Sequence, residues 1–161
     1  MSSLRALGCA VLTISDTRTA ETDESGRLTR DLLERAGHRI VHSSIVPDDP
    51  ARVVVEVSAL LLREEVEAVL MNGGTGISPR DRTHDAVSAL LESRLDGFGE
   101  IFRALSYKEI GAAAMLSRAL AGLARGRVLF SMPGSPAAVR LALEKLILPE
   151  LGHILSEARK T

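Results

Sequence analysis

The chain predicts an α/β fold, a three-layer α/β/α sandwich on a mostly parallel sheet with one antiparallel strand, read as a single domain over residues 1–161. Three features carry that expectation. Short apolar runs alternate with segments of helical periodicity, the arrangement that builds a parallel sheet covered on both faces. No linker, internal repeat or low-complexity tract breaks the alternation. Late in the chain, two apolar runs are separated only by Arg125-Gly126, a hairpin turn that makes the pair antiparallel.

Leu7 to Ile14 is a short apolar run with β-branched residues at its end, as in a buried strand. A polar loop over 15–24 leads to a helix between Ser25 and Ala36. There Leu28, Leu32, Leu33 and Ala36 recur at helical spacing, and Gly37 takes the C-cap position. Arg39 to Val46 is the second strand. Pro47-Asp48-Asp49-Pro50 starts the next helix, with Asp49 as N-cap, Pro50 in the first turn, and Val53, Val54, Val57, Leu60 and Leu61 on one stripe. Val66 to Met71 is the third strand. Thr83 is expected to cap a helix running through Leu91, and the stretch onward to Ile110 reads as mostly helical, punctuated by Gly97, Gly99 and Gly111. Ala119 to Ala124 and Arg127 to Ser131 form the antiparallel pair. Ser135-Pro136 opens a helix with Val139, Leu143, Leu146 and Ile147 on its apolar stripe; Pro149 is expected to separate it from a last helical turn ending near Leu155.

Composition narrows the function. Twenty Lys and Arg against 21 Asp and Glu give a net charge of -1, so no overall field draws the chain to nucleic acid or anionic membrane. With no Trp, one Tyr and three Phe, there is little material for base-stacking platforms. No run approaches the roughly 18 apolar residues of a membrane span, and the N-terminus lacks a charged-then-apolar leader. The expectation is a soluble cytoplasmic protein with no nucleic-acid or membrane partner. Cys9, the single cysteine, lies inside an apolar run and reads as a buried structural thiol. His38, His42, His84 and His153 show no metal-binding spacing and read as surface or strand-edge residues.

In parallel sheets ligands sit beyond the carboxyl ends of strands, and every chemistry-bearing motif of this chain falls there. Ser15-Asp16 follows the first strand, Asp48 the second, Gly73-Gly74-Thr75-Gly76 and Asp81 the third, and Pro133-Gly134-Ser135 the last. Three glycines let backbone N–H groups converge on phosphate oxygens where a Cβ would obstruct. A plain tight turn would use the same residues, and the spacing is neither a Walker loop nor the dinucleotide fingerprint. Asp81 offers a charge suited to Mg²⁺, or an ion pair with its neighbours Arg80 and Arg82. Asp49 is explained as a helix cap, which leaves Asp48 as the better candidate for a Mg²⁺ or polar ligand contact. Asp85 suits a helix first turn. Ser135 is explained as a helix cap too, although a helix N-terminus is also an anion site.

Taken together, Thr13-Ile14-Ser15-Asp16-Thr17-Arg18, Asp23-Glu24-Ser25-Gly26, Val46-Pro47-Asp48-Asp49, Gly73-Gly74-Thr75-Gly76, Pro79-Arg80-Asp81-Arg82-Thr83, Gly97-Phe98-Gly99-Glu100, Leu116-Ser117-Arg118 and Met132-Pro133-Gly134-Ser135 closely resemble, in order, the MoaB/MogA molybdopterin-binding family, nearer to MoaB. The resemblance implies a homo-oligomer, trimer or hexamer, acting in molybdenum cofactor biosynthesis. It implies transfer of AMP from Mg-ATP to the terminal phosphate of molybdopterin, with molybdopterin and ATP as partners and Mg²⁺ as cofactor. Asp48 and Asp81 match the family's acids and are assigned to the metal and to catalysis. Gly73, Gly74, Thr75 and Gly76 would hold phosphate; Ser15, Asp16, Ser117, Pro133, Gly134 and Ser135 would line the crevice. Three positions depart from the family pattern: Arg82 replaces a usual Val, His84 a usual Pro, and Asn72 stands where Thr or Ser is common. A binding or carrier protein without turnover is the alternative, and a generic nucleotide-binding module a third.

Overall fold

A computed structural model describes residues 5–79 and 81–161. Six strands form one sheet in the order β2-β1-β3-β6-β5-β4. They are β1 (Gly8–Ile14), β2 (Arg39–Val46), β3 (Ala68–Asn72), β4 (Ser93–Arg94), β5 (Leu120–Ala124) and β6 (Arg127–Met132). The pairings β1·β2, β1·β3 and β3·β6 are parallel, while β5 runs antiparallel to both β6 and β4. One strand is therefore reversed, as expected. The β5–β6 turn places Arg125 at φ 51° and Gly126 at φ 73°, the doubly left-handed backbone of a two-residue hairpin loop.

The helices are α1 (Glu24–Arg35), α2 (Pro50–Leu60), α3 (Thr83–Leu90), α4 (Asp96–Ile110), α5 (Pro136–Ala142) and α6 (Leu148–Ala158). Along β1 the side chains alternate between two cores. Cys9 and Val11 join Leu33 of α1, Phe102 of α4 and Val139 of α5, whereas Ala10 and Leu12 join Val53 and Val57 of α2 and Val87 of α3. This period of two, with helices on either face, makes three layers. It also explains why β1 and β3 read as unbroken apolar runs: every residue in both is buried.

The structure departs from the sequence expectations in four places. The two-residue strand β4 interrupts the stretch expected to be helical. Pro149 does not separate helices, because one widened turn over Leu143–Ile147 leads straight into α6. The Leu148 N–H bonds five residues back to the Leu143 carbonyl, a π-type pattern that lets the helix absorb a proline lacking its own N–H. Thr83 is not a cap: Arg82 holds the cap position without a side-chain bond, and Thr83 is the first helical residue. His38 is not on the surface but buried, with Nδ1 accepting from the Leu7 N–H at 3.2 Å.

No described helix is long and apolar enough to cross a membrane. Burial pushes the Cys9 thiol up to about 12, reinforced by Glu67 and opposed by Arg39, as suits a structural cysteine. At the amino end of β3, Glu67 accepts from the Gly8 N–H at 3.1 Å, from Arg159 at 2.8 Å and from Arg5.

Candidate functional site

Register brings the candidate residues together. Ile14 lies opposite Val46, Thr13 opposite Asn72, and Asn72 opposite Met132, so β1, β2, β3 and β6 end level with one another. The β1·β2 and β3·β6 ladders each gain one further bond, Ser15 N–H to the Val46 carbonyl and Gly73 N–H to the Met132 carbonyl, both 2.9 Å. The loops at 15–23, 47–49, 73–82 and 133–135 thus leave a single rim.

Beneath the rim lies a buried polar network. Thr13 donates to Asp23 Oδ2 at 2.7 Å, and Asp23 caps α1 through the Gly26 N–H at 3.0 Å. Asn72 reaches Thr13 Oγ1 at 3.2 Å. Arg18 spans the end of the sheet: Nη2 donates to the Gly134 carbonyl at 2.8 Å and Nη1 to Asn72 Oδ1 at 3.4 Å. Ser25 donates to the same Gly134 carbonyl at 2.6 Å. The first, third and last strand-end loops are therefore tied to each other by side chains as well as by the ladder.

The glycine loop is shaped by close approach. Gly73 sits at φ 99°, and a Cβ there would come within 2.2 Å of the Ile14 carbonyl oxygen; Gly74 sits at φ 70°. A Cβ at Gly134 would lie 3.4 Å from Gly73 Cα, so the Pro133-Gly134-Ser135 turn abuts the loop. Ser135 caps α5 through the Ala138 N–H at 3.2 Å. Thr75 is buried, and its carbonyl accepts from the Arg118 N–H at 3.2 Å, which joins Ser117-Arg118 to the loop.

The two candidate acids are both held. Asp81 Oδ2 accepts from the Ser78 N–H at 2.9 Å and lies where a Gly76 Cβ would meet it at 2.4 Å, so the carboxylate folds onto the glycine loop itself. Its sequence neighbour Arg80 lies outside the described residues. Asp48 Oδ1 accepts from the Thr83 hydroxyl at 2.8 Å, and the Asp48 N–H donates to Asp16 Oδ1 at 2.9 Å. Thr83 in turn touches Gly74, its Cβ 3.1 Å from where a glycine Cβ would stand. Asp81 thus folds onto the glycine loop, and Asp48 is tied to it through Thr83. Among the described residues no three of His, Cys, Asp and Glu form a metal cage. A cation held by these two acids would draw the rest of its shell from ligand phosphates and water, as Mg²⁺ does.

Every residue singled out from the sequence therefore sits on or against this rim. Side chains that hold the rim together were not singled out as site residues, among them Arg18, Asn72 and Arg118. Arg18 and Arg118 do stand inside the quoted motifs, the one available signal. Arg118 also donates from Nη2 to the Asp81 carbonyl at 3.0 Å and faces Asp85 at 3.4 Å. Beside it, His84 is half-buried; burial, then Arg118, holds its imidazole below the usual range, opposed by Asp85.

Residues 10–153 match the family described as a probable molybdopterin binding domain, and the chain belongs to that family. It is 56% identical over 153 residues to Molybdenum cofactor biosynthesis protein B of Bacillus cereus, covering 94% of this chain and 90% of that one. The structure superposes on the tungsten cofactor synthesizing protein MoaB from Pyrococcus furiosus with a TM-score of 0.88 at 37% identity, covering 98% and 100% of the two chains. A MogA structure gives 0.82 at 28%, covering 94% and 99%. The greater likeness to MoaB agrees with the sequence motifs.

Proposed function

We propose that this chain works in molybdenum cofactor biosynthesis, binding molybdopterin and transferring AMP to its terminal phosphate from Mg-ATP. A terminal phosphate oxygen of molybdopterin bonds to the α-phosphorus of ATP; the bond from that phosphorus to the bridging oxygen breaks, and pyrophosphate departs with the electron pair. The names of the relatives support the pathway. The observation that carries the chemistry is that Asp81 folds onto the glycine loop while Asp48 is tied to the same loop through Thr83, each carboxylate fixed by a hydrogen bond.

Two polyanions must meet in such a reaction, so repulsion has to be offset and charge on the α-phosphate stabilised. Asp48 and Asp81 would hold Mg²⁺, which when bound supplies neutralising charge to phosphate oxygens. Backbone N–H groups of Gly73 to Gly76 would hold phosphate. Ser15, Asp16, Ser117 and the Pro133-Gly134-Ser135 turn would line the nucleotide and pterin crevice. Assembly as a trimer or hexamer is supported by the exposed apolar residues Tyr107 and Ile110 on α4 and Met115 and Leu116 just after it.

The test is incubation with molybdopterin, ATP and Mg²⁺. Adenylylated pterin and pyrophosphate are expected from the wild type, and neither from Asp48→Asn or Asp81→Asn, with pterin binding retained in both. Pterin binding without product in the wild type would overturn the activity in favour of a carrier, the alternative suggested by Arg82 and His84 beside Asp81.

A further inference from the structure

Next to the rim lies a cavity of about 210 Å³, lined by His84, Arg94, Asp96, Gly99, Arg103 and Arg118 among others. At that volume it is smaller than the roughly 300–1,000 Å³ of small-molecule sites, a space for an ion or a single functional group. Three arginines face one aspartate, a formal excess of positive charge even with His84 neutral. Two polar atoms of this lining, His84 Nδ1 and Arg118 Nε, are buried without a hydrogen-bond partner among the described residues. Native interiors seldom leave such atoms unmet. Neither atom is exposed to the cavity, so the cavity's attraction for an anion rests on the three guanidiniums.

The surroundings suit an anion. Arg103 is pinned, Nη1 donating to the Ala119 carbonyl at 3.0 Å and to the Ser117 carbonyl at 3.3 Å. Its guanidinium crosses Gly99 so closely that a Cβ there would lie 2.7 Å from Nη2. The amino end of α4, which has no side-chain cap, forms part of the wall through Leu95 and Asp96. Arg94 is half exposed, and its Nε lies 3.7 Å from Asp96 Oδ1, so an incoming anion competes with that carboxylate for the guanidinium.

We propose that this cavity binds a tetrahedral oxyanion of the phosphate class, gripped by Arg94, Arg103 and Arg118. The anion is either free or a phosphate group of a larger ligand lying in the adjoining crevice. The proposal does not depend on adenylyl transfer.

Calorimetric titration of the full chain, without pterin or ATP, with inorganic phosphate at constant ionic strength set by chloride tests it. One saturable site per chain is expected. Arg94→Gln should weaken it by about tenfold, the loss of one charge-assisted contact, and Arg94→Glu, which reverses the charge, by more; Arg94→Gln should leave the melting temperature unchanged. Titration with AMP separates the sources. Competition between AMP and phosphate, together with weaker AMP binding in Arg94→Gln, identifies a ligand's phosphate group; unaltered AMP binding at saturating phosphate identifies a free oxyanion. The proposal is overturned if phosphate shows no saturable binding, or if both variants bind it as the wild type does. No turnover enters the measurement, so its failure leaves the proposed activity standing.

Discussion

The hydroxyl of Thr83 donates to Asp48 Oδ1 at 2.8 Å, so the first residue of α3 aims an acid at the end of β2. The same threonine rests against Gly74. One side chain therefore fixes the spacing between a carboxylate and the phosphate-style loop.

Thr83→Val keeps the branched shape and removes the donor. Stability should fall by only about 1 kcal/mol, a single hydrogen bond. Turnover with Mg-ATP should fall by about tenfold to a hundredfold, as for an acid displaced by roughly an ångström. Steady-state rates over a range of Mg²⁺ concentrations check this, and a wild-type Mg²⁺ dependence would remove Thr83 from the site.

Gly73→Ala should destabilise by about 2–4 kcal/mol, since the new methyl adds a steric clash with the Ile14 carbonyl to left-handed backbone strain. Gly97 on α4 has nothing within 4 Å of a Cβ, and Gly97→Ala should gain about 0.4–1 kcal/mol. Urea denaturation of both variants measures the contrast. Equal effects would mean that the loop accommodates a side chain.

Acid should weaken the fold in two windows. Burial lowers His38 from the ordinary 6.5, with Glu67 opposing; the unfolded chain then takes up this proton first, so stability present above pH 6.5 is lost as pH falls below it. Burial raises Glu67, but the Gly8 N–H, Arg159 and Arg5 more than offset it, and the net shift is down from 4.5. Its contribution is present above that value and disappears as pH falls through the folded pKa. Glu67→Gln should cost about 1.5–3 kcal/mol near neutrality, flatten the lower window and, by removing the charge that opposes burial at His38, widen the upper one. Urea midpoints across a pH series would show this, and an unchanged acid limb would place the titration elsewhere.

The first half of the fold was legible because local signals agree with tertiary ones: Leu28 and Leu32 at helical spacing, Asp49-Pro50 as a helix start, and apolar runs short enough to be strands. The hairpin was legible from two residues. Strand β4 was not, since Ser93 and Arg94 become strand only by pairing with Leu123 and Gly122. Proline at 149 misled because the widened turn that admits it leaves no compositional mark. Within the site, strand-end loops could be picked out by position, and Asp48 by elimination. The network beneath could not: Arg18 meets Gly134 across 116 positions in sequence, and no periodicity records such a contact. Thr83 misled for a related reason, its hydroxyl serving a residue 35 positions away in place of its own helix.

Arg5 and Arg159 share the carboxylate of Glu67, which precedes β3, whereas the glycine loop follows it. The segments flanking β1 and α6 are thus moored side by side at the opposite pole of the sheet, roughly 17 Å along the five-residue β3 from the crevice. A label attached near either segment would therefore stand clear of the crevice and report on folding alone.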